Sequence, residues 1–290
     1  GILLGAEPEA MLDERMLCAP RLKTAPHSPA GLVRLHFHAR GAVSHLFIEP
    51  LPSLAPPTAT VVLLRVRAVG LNFRDVLNVL GEYPGDPGPP GGDVAGVVVE
   101  ASVLHASGDA VFGLGHAPLA CIALSLAPLI SHLPVALSFE QASTLPVTWS
   151  TTHVAFERAG LHAGLCIIVH AVVGGVGLTA IEYAHWLCAT SIGTAGQPHK
   201  IAHARSIGVA SLCSSRHGAA LACGVSRLLS ARRSHAVLNS LSLDFIAASF
   251  ASLGEGGAFE EIGKRAIWAS LRGGASAPAT AYCAIALDAD

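Results

Sequence analysis

A chain of 290 residues has room for two modest domains or one large one. Half of it is apolar (51%) and only 13% is charged, so it can bury a sizeable core. A formal net charge of −2 argues against nucleic acid or an anionic membrane as the main partner. No run approaches the ~18 uninterrupted apolar residues needed to span a bilayer.

The start, Gly1 to Glu7, lacks the basic segment and long apolar core of a secretory signal, so a soluble, cytoplasmic protein is expected. Residues 1–30 mix Pro, Ala and charges and read as a linker from a preceding domain. From Gly31 to about Ser125, short apolar runs broken by Pro and Gly predict strands at Leu32–Ala39, Val43–Leu51, Thr60–Ala68, Val94–Ala101, Ala110–Leu114 and Leu119–Leu124. One helix interrupts them, opened by Asn72 and Phe73 and ended by Gly81. Ser138-Phe-Glu-Gln141 has the spacing of a capping box, and a second helix is expected from Val147 to Arg158.

Beyond Leu165 the pattern alternates. Strands are expected at Leu165–Val169, Ala189–Thr194, Ala210–Cys213, Ala236–Asn239 and Ala258–Ile262. Helices are expected at Gly177–Leu187, His199–Ile207, Ala219–Ser230 and Asp244–Leu253. Strands separated by helices and joined by short loops predict a doubly wound parallel sheet, the layout of a nucleotide-binding domain.

The turn after the first of these strands reads His170-Ala-Val-Val-Gly174-Gly175-Val176-Gly177. Glycines let a backbone approach a pyrophosphate, and the helix that follows supplies free N–H groups and a positive dipole end. The strand before it and the helix after it raise the turn above an ordinary glycine cluster, and dinucleotide binding is expected. No Asp or Glu occurs between Glu182 and Asp244, where an NAD-binding unit usually holds the ribose 2′-OH. Lys200, Arg205, Arg216, Arg227, Arg232 and Arg233 do occur there, which favours the 2′-phosphorylated form, NADP(H). Lys200, Arg216 and the Thr194 hydroxyl are the candidates for that phosphate; Arg232 and Arg233 read as surface. Seven cysteines show no paired spacing, and fifteen histidines show no HExxH or Cys/His ligand spacing, so reduced thiols and no legible zinc site are expected.

The segments Val66–Gly96 (with GLNFRDVL), Leu145–Gly164, Val169–Ala184 (with GGVG), VLNSLS at Val237–Ser242 and FEEIGKR at Phe259–Arg265 resemble the enoyl reductase domains of modular polyketide synthases and animal-type fatty acid synthase. These belong to the zinc-free, quinone-oxidoreductase-like branch of the medium-chain dehydrogenase/reductase superfamily. The resemblance runs from about Gly31 to Asp288. It implies an α/β protein with a GroES-like, β-rich substrate domain at 31–150 and a Rossmann cofactor domain at 151–265. It also implies a last segment, 266–290, whose strand at Tyr282–Leu287 returns to the substrate domain. Relatives continue past the LDAD end, so that segment reads as truncated.

The implied reaction is reduction of the α,β-double bond of an enoyl thioester on an acyl carrier protein, by NADPH. The other readings are a stand-alone quinone or enone reductase and a weakened remnant of a synthase module; APRL at Ala19–Leu22 resembles the entry into a reductase within a synthase and favours the first. The resemblance matches Tyr83 to a tyrosine that influences protonation at the α-carbon. It matches Lys200 to a proton donor or active-site cation, a role that competes with phosphate binding. Asn72 and Phe73 match the lining of the cleft, and Thr151 the turn beneath the nicotinamide. Gly174, Gly175, Val176 and Gly177 match the pyrophosphate loop. Asn239, Ser240 and Leu241 match the segment crossing the cofactor, and Lys264 the lysine after the Glu-Ile-Gly strand end. His217 stands where relatives often carry an acid, and it could donate a proton if charged. The loop between Val99 and Gly108 is shorter than the family pattern.

Overall fold

The computed structural model describes residues 11–13, 16–18, 31–54, 58–230, 232–264, 267–269, 272–273, 275 and 278–287. Within the expected irregular stretch at 1–30, β1 (Met11–Asp13) and β2 (Met16–Cys18) pair antiparallel. The rest of that stretch, APRL included, lies outside the described residues, as do 288–290.

The β-rich part carries β3 (Val33–His36) and β4 (Phe47–Pro50), an antiparallel pair preceded at β4 by a 3-10 turn at Val43–His45. Next come β5 (Val61–Gly70), helix α1 (Phe73–Leu80), β6 (Asp93–Glu100), β7 (Ala110–Leu114), β8 (Ile122–Leu126) and β9 (Ile130–His132). The last five strands form one antiparallel sheet in the order β8-β5-β6-β7-β9. Alternate residues turn inward, so Val62, Leu64, Val94, Val98 and Val111 build a core with Ile130. Gly81 adopts φ +70 and closes α1 through its N–H to Asn78 and Leu77, the left-handed cap that the sequence placed there. Strand β9 has no counterpart among the expected elements; three residues give too little alternation to announce a strand.

Two helices follow. The capping box forms as read: the Gln141 N–H donates to Ser138 Oγ (3.2 Å) and the Ser138 N–H to Gln141 Oε1 (3.0 Å), opening α2 (Phe139–Ala142). Helix α3 (Pro146–Arg158) leads to the second sheet.

That sheet is built from β10 (Cys166–Val169), β11 (Thr190–Ala195), β12 (Leu212–Ser214), β13 (Ser234–Asn239), β14 (Leu253–Glu261) and β15 (Ala281–Ala284). Its order is β12-β11-β10-β13-β14-β15, with every pair parallel. The crossovers are α4 (Gly175–Trp186), α5 (Pro198–Ser206), α6 (Gly218–Leu229) and α7 (Asp244–Phe250). Both faces are covered. Ile167, Val169 and Leu238 pack with Ala180 and Ala184 on one side, and Ile168, Val237 and Phe259 pack with Leu221, Val225 and Ile246 on the other. A strand buried on both faces must be apolar throughout, which is why Cys166–Val169 reads as a continuous run.

One expectation is corrected. The last strand does not return to the substrate domain: β15 lies beside β14 as the sixth strand of the parallel sheet, with Tyr282 opposite Phe259. Its side chain packs on Phe259 and Phe250, and its hydroxyl donates to the Trp268 carbonyl (2.6 Å), so aromatic burial fixes where the strand docks. Among the described residues no helix is long and apolar enough to cross a membrane.

Candidate active site

In an open parallel sheet, ligands bind beyond the carboxyl ends of the strands, where the strand order reverses. Here the reversal falls between β10 and β13. A cleft of about 1050 Å³ opens at that point, between the parallel sheet and the β-rich part.

The glycine turn forms one wall. The chain leaves β10 at Val169, bends through Ala171 at φ +47 and enters α4 with Gly174 as its N-cap. A side chain on Gly177 would put its Cβ 2.5 Å from the Ala171 carbonyl oxygen and 2.7 Å from Val172 backbone atoms. Glycine is therefore what lets α4 sit against the turn and present its first N–H groups to the cleft. His170 braces the turn from below. Its Nδ1 lies 3.1 Å from Thr194 Oγ1 and its Nε2 lies 2.7 Å from Ser249 Oγ, whose own proton goes to the Phe245 carbonyl. Complete burial pushes this imidazole down to about 3, so it stays neutral and acts as a rigid strut.

Opposite stand Asn72, Phe73 and Tyr83. The Asn72 N–H donates to Asp75 Oδ2 (2.8 Å), and its Nδ2 donates to Asp93 Oδ2 (2.8 Å). Asp93 Oδ1 in turn accepts from the Val147 N–H (2.7 Å), which joins β6 to α3. Burial outweighs these two hydrogen bonds and raises Asp93 to about 6. Replacing Asp93 by leucine leaves both donors orphaned, at about 1–3 kcal/mol each. Urea unfolding of Asp93→Leu is expected to show a loss of about 2–6 kcal/mol, with a smaller loss for Asp93→Asn, which keeps one acceptor. Equal stability of both variants and parent would refute the latch. Arg74 lies over the Tyr83 ring, 5.5 Å from its centre, and donates to the Pro87 carbonyl (2.6 Å), which shapes the cleft mouth.

Of the residues singled out from sequence, Asn72, Phe73, Tyr83, Thr151, Gly174, Val176, Gly177, Lys200, Ser240, Leu241 and Lys264 line this cleft. Gly175, Thr194, Arg216, His217 and Asn239 do not. Thr194 is fully buried under the turn, where its hydroxyl meets His170 and the Ala171 N–H. Arg216 donates through Nε to the Gly196 carbonyl just past β11. His217 is the N-cap of α6. Asn239 is buried and donates to Glu261 Oε2 and to the Leu241 carbonyl, both at 2.7 Å, so it holds the Ser240–Ser242 segment in place without lining the cleft. The Lys264 ammonium donates to the Ile285 carbonyl (2.8 Å), tying the end of β14 to the last segment. Sequence reasoning missed His170 and the Ile285–Leu287 stretch; the first carried only the signal of standing directly after the buried strand.

Dinucleotide chemistry fits this wall. The buried hydroxyl of Ser240, a residue that lines the cleft, has no protein hydrogen-bond partner. A buried hydroxyl without a partner asks for one from a ligand. Gly174, Val176 and Gly177 would hold a pyrophosphate.

A doubly wound sheet meeting a small antiparallel sheet at such a cleft is the fold of the medium-chain dehydrogenase/reductase superfamily, as the structural likeness to an enoyl reductase shows. No protein-family model matches the chain. The spectinabilin polyketide synthase system protein NorB of Streptomyces orinoci is 38% identical over 276 residues, covering 90% of this chain and 12% of that protein. The CurK enoyl reductase structure superposes with a TM-score of 0.82 at 30% identity, covering 88% of this chain and 81% of that one. A quinone oxidoreductase of Pseudomonas syringae pv. tomato DC3000 superposes with a TM-score of 0.77 at 26% identity, covering 89% and 82%. The chain belongs to the enoyl reductases of modular polyketide synthases, and it spans about an eighth of the length of the synthase protein it matches.

Proposed function

We propose that this chain reduces the α,β-double bond of an enoyl thioester carried on an acyl carrier protein, with NADPH as reductant, among the neighbouring domains of a polyketide-type synthase. The observation that carries the reading is the glycine turn opening into a cleft shared by both sheets, followed along the chain by a stretch free of carboxylates from Tyr183 to Leu243. Bound NADPH supplies the hydride that adds to the β-carbon.

The chain's own residues do the rest. The start of α4 neutralises the pyrophosphate through backbone N–H groups and its dipole. Arg216, beside Gly196 just past β11, provides the positive charge that a 2′-phosphate requires. Thr151, Asn72 and Phe73 wall the nicotinamide end, and the strut at His170 keeps the turn from shifting. Negative charge on the thioester oxygen is favoured by a cation within reach, and of the lining cations Arg74, Lys200 and Lys264 we assign this role to Lys200. Tyr83 and Lys200 are the candidates to deliver the proton to the α-carbon. His217, outside the lining, is left out of that assignment.

The test is a titration of the purified protein with NADPH and with NADH, followed by turnover of a crotonyl thioester, a carrier-bound enoyl thioester and a quinone. Preference for NADPH by at least about tenfold and for the carrier-bound thioester is expected, about 1.4 kcal/mol or more for each. Equal use of both coenzymes, or faster quinone reduction, would overturn the reading.

A further inference from the structure

We propose that His105, Asp109 and His132 form a divalent-cation site of the zinc class, separate from the cleft, that clamps the loop between β6 and β7 onto β9. Each of the three offers one ligand atom within 4.8 Å of the other two, although 23 residues separate Asp109 from His132. None of them lines the cleft.

The His105 ring carries the argument. It is 7% exposed, and its Nε2 lies 3.1 Å from the Ala127 carbonyl oxygen. A carbonyl can only accept, so the ring proton sits on Nε2 and Nδ1 is left with a bare lone pair. That Nδ1 is buried and has no hydrogen-bond partner. A histidine with one ring nitrogen donating to a backbone carbonyl and the other unsatisfied has the tautomer of a metal ligand. Buried polar atoms without partners are rare enough to need a reason.

The other two donors are placed to complete the set. The His132 ring centre is 5.2 Å from that of His105, inclined at 62°. His132 Nδ1 is 3.9 Å from Asp109 Oδ2. Asp109 Oδ2 accepts from the Ala106 N–H (2.7 Å), and Ser102 Oγ accepts from the Leu104 and His105 N–H groups, so the loop is pre-shaped around the site. Two imidazoles and one carboxylate, with no thiolate, suit Zn²⁺ or Co²⁺, with water completing four-coordination. Bonds of about 2.0–2.1 Å require the donors to close by roughly 1 Å. The exposed His132 side chain and the partly exposed Asp109 are free to make that movement.

The experiment uses protein without a polyhistidine tag, stripped with EDTA and exchanged into chelator-free buffer. ZnCl₂ is titrated by calorimetry, CoCl₂ by its visible absorption, and both are repeated on His132→Ala and Asp109→Asn. Asp109→Asn keeps an acceptor for Ala106, and His132 is 65% exposed at its side chain, so both variants are expected to fold. One-to-one binding tighter than about 100 µM, lost by at least about tenfold in each variant, is the expected result. Weaker binding, or a smaller loss in either variant, overturns the site.

Discussion

Gly177→Val is expected to lose NADPH affinity by more than about 100-fold, roughly 3 kcal/mol, while the far-ultraviolet spectrum stays that of a folded α/β protein. Its Cβ would stand 2.5 Å from the Ala171 oxygen and 2.7 Å from Val172 atoms, all of them backbone. Backbone cannot rotate out of the way, so the first turn of α4 must retreat from the pyrophosphate position. The companion variant Gly175→Ala separates this effect from general damage to the turn. Its Cβ meets the Thr148 Cγ2 methyl at 3.0 Å, the end of a side chain, so a shift of a few tenths of an ångström accommodates it. Affinity within about fivefold of the parent is expected there, on the order of 1 kcal/mol. The measurement is fluorescence titration of both variants. Parent-like binding by Gly177→Val would remove the turn from the site.

The second large effect concerns pH. Glu260 and Glu261 lie side by side on β14, and burial raises each to about 7. Glu261 keeps partners in the Asn239 amide and the Gly263 N–H, whereas Glu260 is 2% exposed, feels Arg158, and has an Oε2 with no hydrogen bond. The folded protein therefore holds protons that the unfolded chain has already released above about pH 4.5. Their stabilising contribution is complete below that value and is lost as pH rises through about 7. His170, lowered to about 3, acts in the opposite sense, its contribution being lost as pH falls below about 6.5. Comparing Glu260→Gln with the parent cancels His170. The variant is expected to match the parent, or fall slightly below it, at pH 5 and to exceed it at pH 8. The gain is on the order of 1–3 kcal/mol after allowance for solvent screening, or roughly 2–6 °C in melting temperature. A melting difference that does not change between pH 5 and pH 8 would show that Glu260 keeps its ordinary ionisation in the fold.

Both predictions rest on side chains that the sequence made visible to different degrees. Gly177 announced itself, because a glycine cluster between an apolar run and a helix has few physical uses. Glu260 looked like an ordinary polar residue of a strand end; only the folded structure, with β14 inside the sheet between β13 and β15, shows it buried.

The sequence by itself determined most local elements and the glycine turn before α4. Ala110–Leu114 was read to the residue, the capping box at Ser138 formed as its spacing required, and Gly81 closed α1, because alternation, caps and glycine turns are properties of neighbours along the chain. Tertiary structure alone decided which elements meet. It sent Ala281–Ala284 to the parallel sheet, because the Tyr282 ring finds Phe250 and Phe259 there. It drew Thr194 beneath the turn, made His170 a strut, and brought His132 to His105 and Asp109. Such pairings depend on burial and on contacts across many residues of chain, and no periodicity or spacing within one segment encodes them.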